Sequence, residues 1–307
     1  MGIFPSTPHT ILNDLSYRQV YFWATYAMVH FTFSLICYPD RPTIHNTDLP
    51  TNTQQKPGAK PLRVAVTGAA GLLGRALLPK IAAQHQVVAT DLNALPGEQP
   101  IEACDVRDST AAQTLCADVD AVVHLAAATW SANRSVRENE TLIFDTRLKG
   151  TYNILQAAQQ AGVRRVIQIS DLCVFSGYDS DIMVSEDFIP QPATEAHPLS
   201  VYLSELMARE YARLSCPGHV LTLRLGQLVD PKTLADDARC ADGWLAIDDA
   251  VDAILHGLQL EHFSGMGEWG IYNLAADVPD NRYSLLKIQS NGYGFFPREN
   301  FAAWREA

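Results

Sequence analysis

The chain is short of positive charge. Only 23 Lys and Arg stand against 34 Asp and Glu, a net charge of −11, which argues against a nucleic-acid partner and its need for basic patches. Cysteine is sparse and unpatterned. Cys37, Cys104, Cys116, Cys173, Cys216 and Cys240 form no C-x-x-C pair and no cluster with histidine, so neither a disulfide framework nor a metal site is expected. That usage suits a reducing compartment and a cytoplasmic location, with most thiols acting as small core residues. Charged residues make up 19% of the chain and hydrophobic residues 47%, the balance of a globular protein with a sizeable core. Residues 20–38 (VYFWATYAMVHFTFSLICY) carry no formal charge and just reach the length of a membrane span. They are aromatic-rich rather than leucine-rich, and Arg18 alone gives little flanking charge bias. Three readings stay open: a membrane anchor or uncleaved signal segment, a helix packed on the body or on a partner, and a poorly ordered extension. Residues 43–61, with three prolines among Thr, Asn and Gln, read as a polar linker.

What the chain does have is concentrated at residues 63–91, RVAVTGAAGLLGRALLPKIAAQHQVVATD. Val64, Ala65 and Val66 form a buried-strand run, three glycines follow at Gly68, Gly71 and Gly74, and residues 72–81 place Leu73, Leu77, Leu78 and Ile81 at helical intervals. A second apolar run, residues 87–89, leads to Asp91. This is the strand, glycine turn, helix and strand of a dinucleotide-binding unit. Gly68 permits the tight turn, Gly71 lets backbone approach a pyrophosphate, and Gly74 lets the helix pack closely on the sheet. Ala70 and Leu72 share the loop, and the helix N-terminus offers N–H groups and partial positive charge to phosphates. Asp91 is placed to accept hydrogen bonds from ribose hydroxyls and to repel a 2′-phosphate, which favours NAD over NADP.

The alternation continues. Strands are expected at residues 100–104, 120–125, 163–170, 220–225 and 270–274, and helices at 109–117 (capped by Asp108), 138–161 (stopped by Gly162), 199–214 and 248–260. Strands alternating with helices over some two hundred residues predict an α/β fold, a Rossmann-like doubly wound parallel sheet with helices on both faces. The expected organisation is an N-terminal extension and linker at 1–61, a dinucleotide-binding domain at 62–226, and a reduced C-terminal substrate lobe at 227–307.

From Leu62 to Leu274 the chain resembles the extended short-chain dehydrogenases/reductases of the NAD-dependent epimerase/dehydratase group. The resemblance rests on TGAAGLLG at 67–74, Asp91, Cys104-Asp105-Val106, HLAA at 124–127 and GTYNILQAA at 150–158. Further matches are Tyr202 with Glu210, LRLG at 223–226, IDDAVDAI at 247–254 and YNLA at 272–275. It implies that Asp105, beside Val106, approaches the adenine, that Leu125, Ala126 and Ala127 flank the nicotinamide ribose side, and that Tyr202 is the acid/base. Family members carry a lysine four residues after that tyrosine, whose charge favours the phenolate; here the position is Leu206. The usual serine or threonine falls on Asp171, and the usual helix asparagine on Arg147. A phenol of ordinary pKa, near 10, is a poor base at pH 7.

Two functions follow. One is NAD-dependent oxidoreductase or epimerase chemistry with an atypical site. Only 227–246 separates LRLG from IDDAVDAI, so a sugar, sugar acid or related small carbonyl or hydroxyl compound suits the lobe better than a nucleotide-sugar. The other is a catalytically inactive NAD-binding protein, redox-sensing or structural. Arg147 is also expected to restore a positive charge near Tyr202 in the space Leu206 leaves, with Asp171 its carboxylate partner, or a general acid/base if burial raises its pKa. The plain alternative has Arg147 facing solvent or a dimer interface, and Asp171 capping a loop. The resemblance further implies a homodimer through helices 138–161 and 199–214.

Overall fold

Buried on both sides, the strand Arg63–Thr67 (β1) has its last four residues out of solvent, as a central parallel strand must. The computed structural model describes residues 60–214, 219–235, 237–260, 269–279, 281–290 and 292–305; the segment 20–38 and its three readings lie outside the described residues. Around β1 stand Gln86–Asp91 (β2), Ile101–Ala103 (β3), Ala121–His124 (β4), Arg165–Asp171 (β5), His219–Leu225 (β6) and Trp269–Leu274 (β9), in a seven-stranded sheet of order β3-β2-β1-β4-β5-β6-β9. Every pairing is parallel. Gln227–Val229 (β7) and Trp244–Ala246 (β8) form a separate parallel pair. The chain reverses its direction of travel across the sheet at β1 and β4, so a crevice opens there beyond the carboxyl ends of the strands.

Alternate side chains feed two cores. Val64, Val66, Val123, Leu221 and Leu223 point into one, with Leu73, Leu77 and Ile81 of Leu72–Ala82 (α1) and Ala250, Val251 and Ile254 of Ile247–Gln259 (α6). Ala65, Val122 and Val220 point into the other, with Leu115 of Ser109–Cys116 (α2), Ile154 of Thr151–Ala161 (α4) and Ala208 of Ala196–Leu214 (α5). Asp108 caps α2 by accepting from Thr110 N and Ala111 N, and Gly162 ends α4 at φ 70°.

Two helix starts differ from the sequence expectation by two residues or more. The helix read from 138 begins two residues earlier, as Val136–Phe144 (α3), because Ser135 and Glu138 close a reciprocal capping box. The helix read from 199 begins at Ala196, which brings His197 onto its first turn. The expected single helix 138–161 is also interrupted by a π-helical segment, Asp145–Gly150, between α3 and α4. A π segment shifts the phase of the faces on either side of it. The side chain it turns inward is Arg147, which is 9% exposed.

Candidate functional site

The glycine loop sits where the crevice begins. Gly68 has φ +69°, and a Cβ there would lie 2.7 Å from Ala126 N; a Cβ on Gly74 would lie 2.5 Å from Ala69 O. Those two glycines are demanded by the fold itself. Gly71 is different: among the described residues a Cβ there would meet only Gly68 O, at 3.2 Å, so the fold itself leaves room at this position. Gly71 is the N-cap of α1 and no side chain caps that end, which leaves the amides of Leu72 and its successors available to an anion. The amide of Ala70 is committed, donating to Asp91 Oδ2 at 3.0 Å, while Leu92 N donates to Oδ1 at 2.7 Å. Asp91 therefore braces the loop as well as facing the crevice.

A cleft of about 220 Å³ at this edge gathers Gly68, Asp91, Asp105, Val106, Ala126 and Ala127, so residues scattered over sixty positions meet in one place. Leu125 is just behind it, donating its amide to Thr67 O at 3.1 Å. Arg107 also lines the cleft and clamps Asp105 through Nε and Nη2, at 2.7 to 3.1 Å. The hydrogen bonds from Arg107 hold the Asp105 carboxyl below the usual carboxylate range against the opposing effect of burial. A larger cavity of about 880 Å³ along Val88, Cys104 and Thr114 contains none of the sequence-predicted site residues. A third, apolar cleft of about 500 Å³ shares Ala127 with the first and runs past Thr129, Trp130 and Ile143 to His197.

Beneath Ala126 lies a buried histidine. His124 is held between Thr67 Oγ1, 2.8 Å from Nδ1, and Thr151 Oγ1, 3.1 Å from Nε2. Burial, and then the nearby Arg147 charge, bring its pKa down to about 3. The unfolded chain takes up a proton below about 6.5 while the folded protein refuses it until about 3, so stability falls with pH across that window. The expected slope from this group approaches about 1.4 kcal/mol per pH unit. Urea unfolding at pH 7 and pH 5 should show a larger loss for wild type than for His124→Gln; equal losses would contradict it.

Arg147 and Asp171 come together at the end of β5. Arg147 Nη1 donates to Ile169 O at 3.2 Å. Burial pulls its pKa down, and the charges of Asp171, Cys173 and Glu205 oppose that pull. The guanidinium thus points inward, not to solvent. Tyr202, half-buried on α5, packs against the main core, and among the described residues it makes no hydrogen bond to Arg147 or Asp171. Leu206 is half-buried. Asp171 does cap a turn: Oδ1 accepts from Cys173 N at 2.7 Å in the short 3₁₀ helix Leu172–Phe175. The expectation that burial raises Asp171 is corrected. Burial does act upward, but the His197 ring and the Cys173 amide outweigh it and hold the carboxyl below its ordinary value, so Asp171 is an anion at neutral pH rather than a proton donor.

Several partners of this corner had no signal along the chain. His197 Nε2 lies 3.6 Å from Asp171 Oδ2. Glu205, next to the missing lysine position, accepts from Arg224 Nε and Nη2, both at 2.8 Å, and from Ser170 Oγ at 2.5 Å. These contacts join helix α5 to strands β5 and β6, and no periodicity or spacing rule links them.

The NAD dependent epimerase/dehydratase family matches residues 64–241. Among curated relatives, the uronate dehydrogenase of Pseudomonas putida is 25% identical over 80% of this chain and 87% of its own. The L-arabinose 1-dehydrogenase (NAD(P)(+)) of Haloferax volcanii is 32% identical over 78% of this chain and 98% of its own. The crystal structure of the glucuronic acid dehydrogenase from Chromohalobacter salexigens superposes with a TM-score of 0.66 at 24% identity, covering 80% of this chain and 88% of that one. No helix among the described residues is long and apolar enough to cross a membrane.

Proposed function

Because the chain belongs to the NAD dependent epimerase/dehydratase family, we propose that it is an NAD-dependent oxidoreductase acting on a small sugar or sugar acid through an atypical active site. The observation that carries this is the meeting of Gly68 of the glycine loop, Asp91 and the small Ala126–Ala127 pair along one cleft, with the uncapped start of α1 following in the same loop. The α1 amides hold the pyrophosphate, Asp91 accepts from the ribose hydroxyls, and Ala126 and Ala127 leave the nicotinamide side unobstructed. NAD, when bound, supplies the hydride acceptor. The apolar cleft of about 500 Å³ beyond Ala127 suits a monosaccharide, with the exposed Trp130 ring at its wall as a face for sugar C–H groups. Tyr202 passes the substrate proton. The relatives that act on uronate and on L-arabinose support this substrate class.

The proposal includes a preference for NAD over NADP set by Asp91. Titration should show NAD binding more tightly, and Asp91→Ala should narrow the gap chiefly by weakening NAD, since Ala70 N loses its acceptor as well. Wild-type protein that held NADP more tightly would overturn the assignment. A second reading, a catalytically inactive NAD-binding protein, is favoured by one observation: Leu206 supplies no cation beside Tyr202, whose hydroxyl has no hydrogen-bond partner among the described residues. Turnover of a sugar or sugar acid separates the two.

A further inference from the structure

Three metal-ligating side chains converge at the end of β5. Asp171, Cys173 and His197 each present one donor atom, and the three atoms lie within 4.8 Å of one another. The cluster is assembled from a strand end, a one-turn 3₁₀ helix and the first turn of α5, so chain spacing gave no sign of it. We propose that Asp171, Cys173 and His197 form a binding site for one divalent transition-metal ion of the zinc or cobalt type. The carboxylate is preset for it: Cys173 N holds Oδ1, leaving Oδ2 facing His197 Nε2 at 3.6 Å. Tetrahedral coordination with metal–oxygen and metal–nitrogen bonds near 2.0 Å and a metal–sulfur bond near 2.3 Å puts donor atoms about 3.3–3.6 Å apart. The carboxylate–imidazole pair is already close to that spacing, and the sulfur lies within 4.8 Å of both donors. As the metal–sulfur bond forms, the Cys173 thiol gives its proton to solvent. Two anionic donors then offset the ion's charge beside the buried Arg147, and the thiolate and imidazole select zinc or cobalt over magnesium or calcium, which require oxygen ligands. His197 is exposed and lines the apolar cleft, so the fourth position opens toward that cleft for water or a ligand hydroxyl.

The site goes beyond the dinucleotide-dependent function and does not rest on it. The test uses the full chain, reduced and stripped with a chelator, titrated with Co²⁺ alone and then with Zn²⁺. One equivalent of Co²⁺ should bind with a thiolate-to-metal charge-transfer band and the visible bands of four-coordinate cobalt, and Zn²⁺ should displace it. Cys173→Ser should lose the charge-transfer band, and His197→Ala should weaken binding by about 100-fold or more. Thermal unfolding of the stripped variants checks that they remain folded. Absence of stoichiometric Co²⁺ and Zn²⁺ uptake, or a charge-transfer band that survives in Cys173→Ser, overturns the proposal. Loss of NAD binding with intact metal binding would strike only the dinucleotide function.

Discussion

Replacing Glu205 by alanine should cost the folded protein about 3–5 kcal/mol. Glu205 and Arg224 are 2% and 3% exposed and share two parallel hydrogen bonds of 2.8 Å, while Ser170 Oγ donates the third bond to the carboxylate. The Arg224 guanidinium also stacks over the Phe175 ring, 4.8 Å from its centroid. Removing the carboxylate leaves a buried guanidinium whose Nη1 already lacks a partner, so nothing nearby takes over the charge. Glu205→Leu combined with Arg224→Met should recover much of that loss, because a buried pair replaced by apolar groups no longer carries its desolvation penalty. Equilibrium urea unfolding of the single and double variants measures the coupling. A single variant within about 0.5 kcal/mol of wild type would contradict the buried pair, since that is the range of ordinary surface substitutions.

Gly71→Val should abolish dinucleotide binding while leaving the protein folded. Among the described residues the one neighbour a Cβ meets at this position is Gly68 O, at 3.2 Å, so the body can accept a side chain with a shift of a few tenths of an ångström. On the proposed function, the rest of the valine would obstruct a pyrophosphate at the uncapped start of α1. A loss of about 100-fold or more in affinity, near 2.7 kcal/mol, is expected by calorimetry. Gly68→Val and Gly74→Val provide the contrast: their Cβ atoms would press on backbone at 2.7 and 2.5 Å, so they should lose the fold along with binding. Unimpaired binding by folded Gly71→Val would remove the glycine loop from the site.

The parts of the molecule legible along the chain are those that local physics sets. Val64 to Val66, the glycines and Asp91 lie within one strand–helix–strand unit, and each residue type answers a constraint a few residues away. Gly162 and Asp108 likewise announce helix ends by their own backbone and side-chain chemistry. Ser135 and Glu138 are equally legible as a capping box, a signal the apolar stripe does not carry, so the stripe alone places the start of α3 two residues late. An inward Arg147 is one of the two readings the sequence offers, but the π segment that carries it is not legible, because it breaks the 3.6-residue period that any stripe assumes. The Glu205–Arg224 pair and the Asp171–Cys173–His197 cluster depend on how α5 lies across β5 and β6, and such contacts between distant segments leave no period in the sequence.

Oxidation of a small sugar or sugar acid by NAD is the reaction on which the proposed function stands or falls. Its most direct measurement is the nicotinamide absorbance of the full chain mixed with NAD and, in turn, uronates, L-arabinose, other aldoses and polyols. NADH should form with at least one sugar or sugar acid, and its formation should be lost in Tyr202→Phe while NAD still binds. Saturable NAD binding with no turnover across the whole panel would contradict it and leave the protein a dinucleotide binder without catalysis.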